Sequence, residues 1–249
     1  MTAAPTAHPA GLLVYAVVSA DQALPHVSGV GDGPLSSVGH GGVAAVVGPA
    51  PAEGSTGPAD LRAYHEVVDA LAASGPVAPV RFGYVLTDEQ QVVTDVLAPR
   101  AEELGDLLAA LAGRTELKVR ARYIEEAVLA EVVRSDPEIR TLRERTRDVP
   151  EEVSWSDRVR LGELVAHAVE AKRRDEAADL WDLVAPHVVE MRETPGTGLD
   201  HLLAVALLVD DDRVSVLEEA LEAYAEAAHE RVRVRLTGPL PPYDFVGGA

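Results

Sequence analysis

The side chains in this sequence best suited to chemistry are a few histidines, carboxylates and one arginine, and their spacing decides what they can do together. His65 and Glu66 are neighbours in a stretch with helical periodicity, so their side chains diverge by about 100° and cannot share one metal ion. A structural hydrogen bond is the better reading of that pair. His187 and Glu190 stand three apart, which puts two ligands on one helical face, but no third ligand accompanies them and no metal is assigned. Asp210, Asp211 and Asp212 invite magnesium; acidic residues at a helix N-terminus are explained by the dipole, and capping is preferred. Gly29–Gly33 is glycine-rich, yet it lacks the Gly-Lys-Ser/Thr ending of a phosphate loop. Arg81 reads as an ion-pair partner within the fold rather than a substrate clamp. Gly-x-Ser-x-Gly and His-Glu-x-x-His motifs are absent, and with no cysteine, thiolate catalysis, disulfides and Cys-based metal sites are excluded. These residues point to no catalytic centre, no metal and no cofactor.

Composition narrows the class further. The chain has 249 residues, 47% of them hydrophobic, and a formal net charge of -19. A chain of this length buries roughly three quarters of its unfolded surface, enough for one large or two small domains. The charge argues against a nucleic-acid partner, because such binding depends on Lys and Arg neutralising phosphates. The longest apolar run, Leu202–Val209, falls far short of the ~20 residues of a membrane span, and no basic segment leads an apolar core at the N-terminus. The expectation is a soluble cytoplasmic protein without a membrane partner.

The elements that would position these groups follow from periodicity. Leu12–Val18 is continuously apolar, as expected of a central strand covered on both faces. Leu35–Val38 and Val43–Val47 flank Gly39-His40-Gly41-Gly42 and predict a hairpin. Leu61, Tyr64, Val68 and Leu71, with Val67 beside them, predict a helix that Ser74-Gly75-Pro76 stops; Val77–Leu86 restarts as an extended segment. Thr87 and Gln90 stand at capping-box spacing before a second helix that carries Leu104, Leu107, Leu108 and Leu111 and ends at Gly113. Residues 11–113 are thus expected to form a small α+β domain with about four strands and its helices on one face.

The second half alternates more clearly. In Thr115–Tyr123, apolar or small positions alternate with Glu116, Lys118, Arg120 and Arg122. Ile124, Val128 and Val132 continue as a helix, and Ser135 with Glu138 is placed to cap another. Ser156 or Asp157 begins a long helical region that runs to about Glu193, on the order of 55 Å if unbroken, kinked at Pro186. Leu202–Val209 reads as a buried strand, Val214–Ala228 as a helix and Arg231–Leu236 as an alternating strand. The resulting plan is α+β with two domains. The C-terminal one, 114–237, is a modified ferredoxin-like domain with an inserted helical arm over 124–194. Residues 1–10 are expected to be a disordered tail and 238–249 an extended, proline-rich one.

Two blocks of this sequence resemble one known family. His65-Glu66, followed by Val77-Ala78-Pro79-Val80-Arg81-Phe82-Gly83, resembles the HE…V.PVRFG block of the gas vesicle accessory proteins GvpF and GvpL. Leu236-Thr237-Gly238-Pro239-Leu240-Pro241-Pro242-Tyr243-Asp244-Phe245-Val246 is similar to the same family's GPxPPYxFV ending, and the resemblance extends from Leu12 to Val246. It marks His65, Glu66, Pro79, Arg81, Phe82, Gly83, Gly238, Pro239, Pro241, Pro242, Tyr243 and Phe245 as motif positions, structural or partner-binding. It implies a non-catalytic minor component of the gas vesicle, with the small hydrophobic shell protein GvpA and other gas vesicle accessory proteins as partners. Its implied work is to limit shell-protein aggregation during nucleation, and its implied place is the vesicle, at the gas-facing side of the shell. The rival from another class is a small-molecule-binding enzyme or sensor on a ferredoxin-like scaffold, which would need a concave pocket with converging polar groups.

The two alternating strands carry one more expectation. With their apolar faces turned to the helix at Val214–Ala228, Lys118, Arg120, Arg122, Arg231, Arg233 and Arg235 share the opposite face. Internal neutralisation by acidic residues is the default reading of that face; docking an acidic partner, nucleic acid included, is the alternative. The strand Leu202–Val209 is apolar on both sides, so its half of that face needs cover from the helical arm or from the tail around Tyr243 and Phe245; the tail is favoured, packed on the protein's own body near the junction of the two halves with Phe245 buried.

Overall fold

A computed structural model describes residues 11–51 and 57–247, so the expected tail over 1–10 and part of the loop after Pro49 lie outside the described residues. The chain divides into two compact units: Met1–Glu116 with Pro239–Ala249, and Leu117–Gly238.

The first unit is built on β1 (Leu12–Ser19), β2 (Ser36–His40), β3 (Val43–Pro49), β4 (Val77–Pro79) and β5 (Val85–Leu86). Their order is β2-β3-β1-β4, with β5 also pairing with β1. The expected hairpin forms, its register closing at His40 and Val43 across Gly41-Gly42, whose φ of 59° and 87° suit a tight primed turn. Helix α1 (Pro58–Ala72) starts where Asp60 Oδ2 accepts the Gly57 N–H at 3.0 Å, and ends where Gln22 Nε2 donates to the Leu71 carbonyl at 3.0 Å. It buries Tyr64, Val67, Val68 and Leu71 against Leu13, Val18, Ala44 and Val46. Leu61 shares the stripe in sequence but is 42% exposed.

The opposite face of the sheet is covered too. The chain runs from α2 (Glu89–Gln91) through a π turn at Val92–Leu97 and a 3-10 turn at Ala98–Arg100 into α3 (Ala101–Leu111). Leu97, Leu104 and Leu108 pack there on Val14, Val17, Ala45 and Val47. The expectation of helices on one face is therefore corrected: an unbroken apolar strand like β1 has two faces to cover. The cap also shifts by one residue. Asp88 Oδ1 accepts the Gln91 N–H at 2.8 Å, and Gln91 Oε1 accepts the Thr87 N–H at 2.8 Å.

The second sheet is made of β6 (Arg114–Tyr123), β7 (Glu190–Glu193), β8 (His201–Asp210) and β9 (Val232–Leu240), in the order β7-β8-β6-β9, and lies in the second unit except for the first three residues of β6 and the last two of β9, which belong to the first. The helices of the second unit are α4 (Glu125–Ser135), α5 (Pro137–Thr146), α6 (Glu151–Val184) and α7 (Val214–Ala227). The long helix expected to reach Glu193 stops at Val184 in a 3-10 turn, Ala185–His187. Pro186 has no N–H to continue the ladder, and the β-branched Val188 and Val189 favour extension. β7 follows. It supplies the strand missing from the expected plan and completes β-α-β-β-α-β, the ferredoxin-like order. His187 and Glu190 consequently do not share a helical face. α6 begins at Glu151, ahead of Ser156, and Asp136 rather than Ser135 caps α5, its Oδ1 accepting the N–H groups of Glu138 and Ile139. Leu117, Val119, Leu207 and Val209 of the sheet are covered by Ile139, Leu180 and Val184 of the arm and by Leu217 and Leu221 of α7.

Arg231 is not on the expected arginine face. It lies before β9, bonded to Glu131 and Glu176, and Lys172 bridges the same two carboxylates at 2.9 Å each. Burial alone would raise Glu176 and Glu131, but the bonds from Lys172 and Arg231 hold both below the usual carboxylate range. Arg231→Ala is expected to cost about 2 kcal/mol in denaturant titration, less than a fully buried pair because the Arg231 side chain is 38% exposed. The pH sense follows from the depressed carboxylates. Their contribution is complete above the ordinary carboxylate value and is lost as pH falls through the lower folded value. The denaturation midpoint should therefore fall below about pH 4, and fall less steeply in Glu176→Gln.

Candidate functional site

Val77–Leu86, expected as one extended segment, is two short strands on the same flank of β1 with Val80–Tyr84 looping out between them. The interruption sits opposite a bulge in β1 at Tyr15, where the register to β3 shifts between Val14 and Ala16. Two bonds bridge it: Val80 N–H to the Tyr15 carbonyl and Val14 N–H to the Tyr84 carbonyl, each 3.0 Å. The sequence dictates the loop. Pro79 has no N–H for the ladder, and Gly83 turns the chain at φ +95°. Space around Gly83 is open, so Gly83→Val is expected to cost about 1–3 kcal/mol through backbone strain alone. Denaturant titration would measure the loss, and faster amide exchange at Val14 would locate it.

Tyr64 closes the gap from α1. Its hydroxyl faces the carbonyls of Val80, Tyr15 and Val14, donating most closely to Val80, with the other two at 3.1 and 3.2 Å. The ring stacks on Tyr15 with centroids 5.0 Å apart and meets Phe82 edge-on at 5.1 Å. Burial drives the Tyr64 phenol far above its ordinary value, so it stays a donor at any physiological pH. The glycine-rich Gly29–Gly33 loop serves the same aromatic pair: its Val30 N–H donates to Tyr15 Oη at 2.8 Å, in place of a phosphate.

The C-terminal block arrives at the same unit. β9 runs through the exposed Gly238 and Pro239 to Leu240, whose carbonyl accepts from Thr115 Oγ1 at 3.3 Å. Pro241 and Pro242 are buried, and Tyr243–Phe245 coils into a 3-10 turn with Phe245 N–H on the Pro242 carbonyl at 3.1 Å. Phe245 is 5% exposed, as expected, but the tail belongs to the first unit, where Tyr243 and Val246 pack against its cores, and not to the sheet around Leu202–Val209 that it was expected to cover. Glu116, expected on a charged outer face, is fully buried. Its Oε2 accepts the Asp244 N–H at 2.9 Å, a charge-assisted bond that holds the turn. Tyr243 sets its ring edge-on to His65 at 6.2 Å, and burial, then Asp69 and Glu116, push its phenol up to about 12.

The two motif blocks thus converge. Pro79, Val80 and Arg81 from one, with Tyr243, Asp244 and Val246 from the other, line a cleft of about 110 Å³. Some expectations fail inside it. Arg81 is exposed and makes no ion pair among the described residues, and no hydrogen bond joins the exposed His65 to Glu66. Sequence reasoning missed Tyr64 and Glu116 as site residues. A tyrosine in the buried stripe of a helix needs an acceptor for its hydroxyl, which is the signal Tyr64 carried.

The arginine face is reduced. Arg122 pairs with Asp200 at 2.7 Å, while Arg120, Arg233 and Arg235 are exposed without an ion pair among the described residues. Among the described residues no three His, Asp or Glu side chains gather to hold a metal ion, and no helix is long and apolar enough to cross a membrane.

Comparison with known proteins decides what this architecture belongs to. The family model described as gas vesicle synthesis protein GvpL/GvpF matches residues 11–247. This chain belongs to the GvpL/GvpF family. Gas vesicle protein F of a Streptomyces species is 33% identical over 237 residues, spanning 94% of this chain and 98% of the relative. Gas vesicle protein L1 of Halobacterium salinarum is 30% identical over 260 residues, spanning 94% and 90%. In fold, the crystal structure of GvpF from Anabaena sp. PCC7120 matches with a TM-score of 0.84 at 22% identity, over 96% of this chain and 99% of the other. That of GvpF from Microcystis aeruginosa matches at 0.78 and 20% identity, over 95% and 99%. Membership in the GvpL/GvpF family makes the chain a gas vesicle accessory protein, associated with the vesicle and with partners among gas vesicle proteins. These relatives bear gas vesicle names rather than enzyme names.

Proposed function

We propose that this chain binds the small hydrophobic shell protein GvpA, limits its aggregation during nucleation, and gives it up to the growing wall. The binding takes place in the cytoplasm and on the gas-facing side of the shell. One observation carries the reading: a single family match covers 11–247, and the two sequence blocks that announce it come together in one cleft of the first unit. The motif residues divide by role. Pro79, Gly83, Gly238, Pro239, Pro241, Pro242 and Phe245 shape and anchor the backbone, His65, Glu66 and Arg81 are exposed to a partner, and Phe82 and Tyr243 are half-buried against the core of the first unit. A partly apolar, reversible contact of this kind shields a greasy subunit without trapping it.

The enzyme or sensor reading has a cavity of about 530 Å³ in the second unit to consider. Its Glu170 and Arg173 bond each other at 2.6 and 2.8 Å, so these polar groups serve the fold rather than converge on a ligand. Light scattering tests the proposal. Purified shell protein diluted out of denaturant should scatter markedly less with an equimolar amount of this chain than with an unrelated protein of matched negative charge. Equal scattering in the two samples would contradict it.

A further inference from the structure

Helix α6 carries one apolar stripe from the core of the second unit to a part of the helix that no described residue covers. At 3.6 residues per turn, Trp155, Val159, Gly162, Ala166 and Val169 fall within about 80° of one another. Val169 is buried in the core, whereas Trp155 is 64% and Val159 43% exposed, and Gly162 and Ala166 face solvent. An exposed tryptophan and valine aligned with two small residues form a face about 17 Å long, three turns of helix. Gly162 has open space above it, which lets another backbone approach closely.

The lower end of this face opens into the cavity of about 530 Å³, whose far wall is the chain around Pro195 and the 49% exposed Leu199. Charge then selects the occupant. Glu151, Glu152 and Glu163 lie at or beside the stripe, exposed and without ion pairs among the described residues. Of the cations in this half of α6, Arg160 pairs with Glu138, while Arg158 is held by Ser154 Oγ and the Thr146 and Val149 carbonyls and keeps its charge on one edge of the strip, one cation against three glutamates. The surface is an apolar strip with an acidic margin.

We propose that the Trp155–Val159–Ala166 face of α6, continuing into the groove beside Leu199, docks an amphipathic helix of a partner protein whose apolar stripe is bordered by lysine and arginine. A helix matches the straight, three-turn footprint and the small residues at its centre, and basic borders match the exposed carboxylates. As a helix-docking groove it stands alone; as the place where shell protein is held, it rests on the function proposed above.

Trp155 reports on the site directly, since Trp181 is the other tryptophan and Trp181→Phe leaves Trp155 alone. The probes are two synthetic amphipathic helices with the same leucine face, one bordered by lysine and one by glutamate. The lysine-bordered helix should shift Trp155 emission to the blue and bind about tenfold tighter than the glutamate-bordered one, and Val159→Asp should weaken it about tenfold. Val159 is exposed, so its replacement leaves the core intact, and circular dichroism confirms the fold. No emission shift with the lysine-bordered helix, equal binding of the two helices, or unchanged binding by Val159→Asp would overturn the groove. Capture of shell protein separates the two claims. Retention by the parent chain and by Val159→Asp alike rejects α6 as the shell-protein site while leaving the proposed function standing. Failure of the parent chain to retain shell protein, with the lysine-bordered helix still bound, rejects the proposed function and leaves the groove.

Discussion

Phe245→Ala is expected to cost about 3–5 kcal/mol and to free the Tyr243–Phe245 turn from the first unit. The ring is 5% exposed, so its loss leaves a cavity. The turn is also the lever that presents the Asp244 N–H to Glu116 Oε2. Once the ring is gone, a fully buried carboxylate loses that donor, which adds to the cost. Chemical denaturation followed by far-ultraviolet circular dichroism gives the energy, and hydrogen exchange at Asp244 locates the opening. A cost below about 1 kcal/mol would mean that the tail merely lies on the surface.

Tyr64 supplies the second large effect, in two steps that separate its hydroxyl from its ring. Tyr64→Phe keeps the stack on Tyr15 and the edge contact to Phe82 but removes the donor that serves the carbonyls of Val80, Tyr15 and Val14. The Tyr15 carbonyl keeps the Val80 N–H, but the Val80 carbonyl loses its closest donor, and a buried carbonyl left without one costs about 1–3 kcal/mol. Tyr64→Ala removes the ring as well, and the total should reach about 4 kcal/mol, a large part of a typical domain's stability. Because the hydroxyl spans the gap between β4 and β5, amides at Val14 and Val80 should exchange faster even in the phenylalanine variant. Exchange unchanged there would show that the two bridging backbone bonds hold the gap without the tyrosine.

Much of this was legible in residue order, and the failures have identifiable physical causes. The strand at Thr115–Tyr123, the hairpin at Gly41-Gly42 and the buried stripe of α1 are set by local period and turn chemistry, which one sequence displays. β7 was not legible because four residues, Glu190-Met191-Arg192-Glu193, carry too little pattern; their pairing with Val205–Leu208 is what makes them a strand. The burial of Glu116 was hidden for a similar reason. Its partner, the Asp244 amide, is 128 residues away, and alternation alone assigns a charged residue to water. The motif residues announced a family, but not that Arg81 would make no ion pair among the described residues or that Tyr64 would organise the loop. Those depend on a bulge in β1 meeting an interruption beside it, a match between segments distant in the chain.

The central claim is that this gas vesicle protein holds the shell subunit before it joins the wall. Affinity capture on the full-length chain, co-expressed with shell protein and compared with an unrelated bait of matched charge, tests it most directly. The account predicts shell protein retained by this chain in soluble form and absent from the control. Shell protein left in the insoluble fraction with both baits would contradict it.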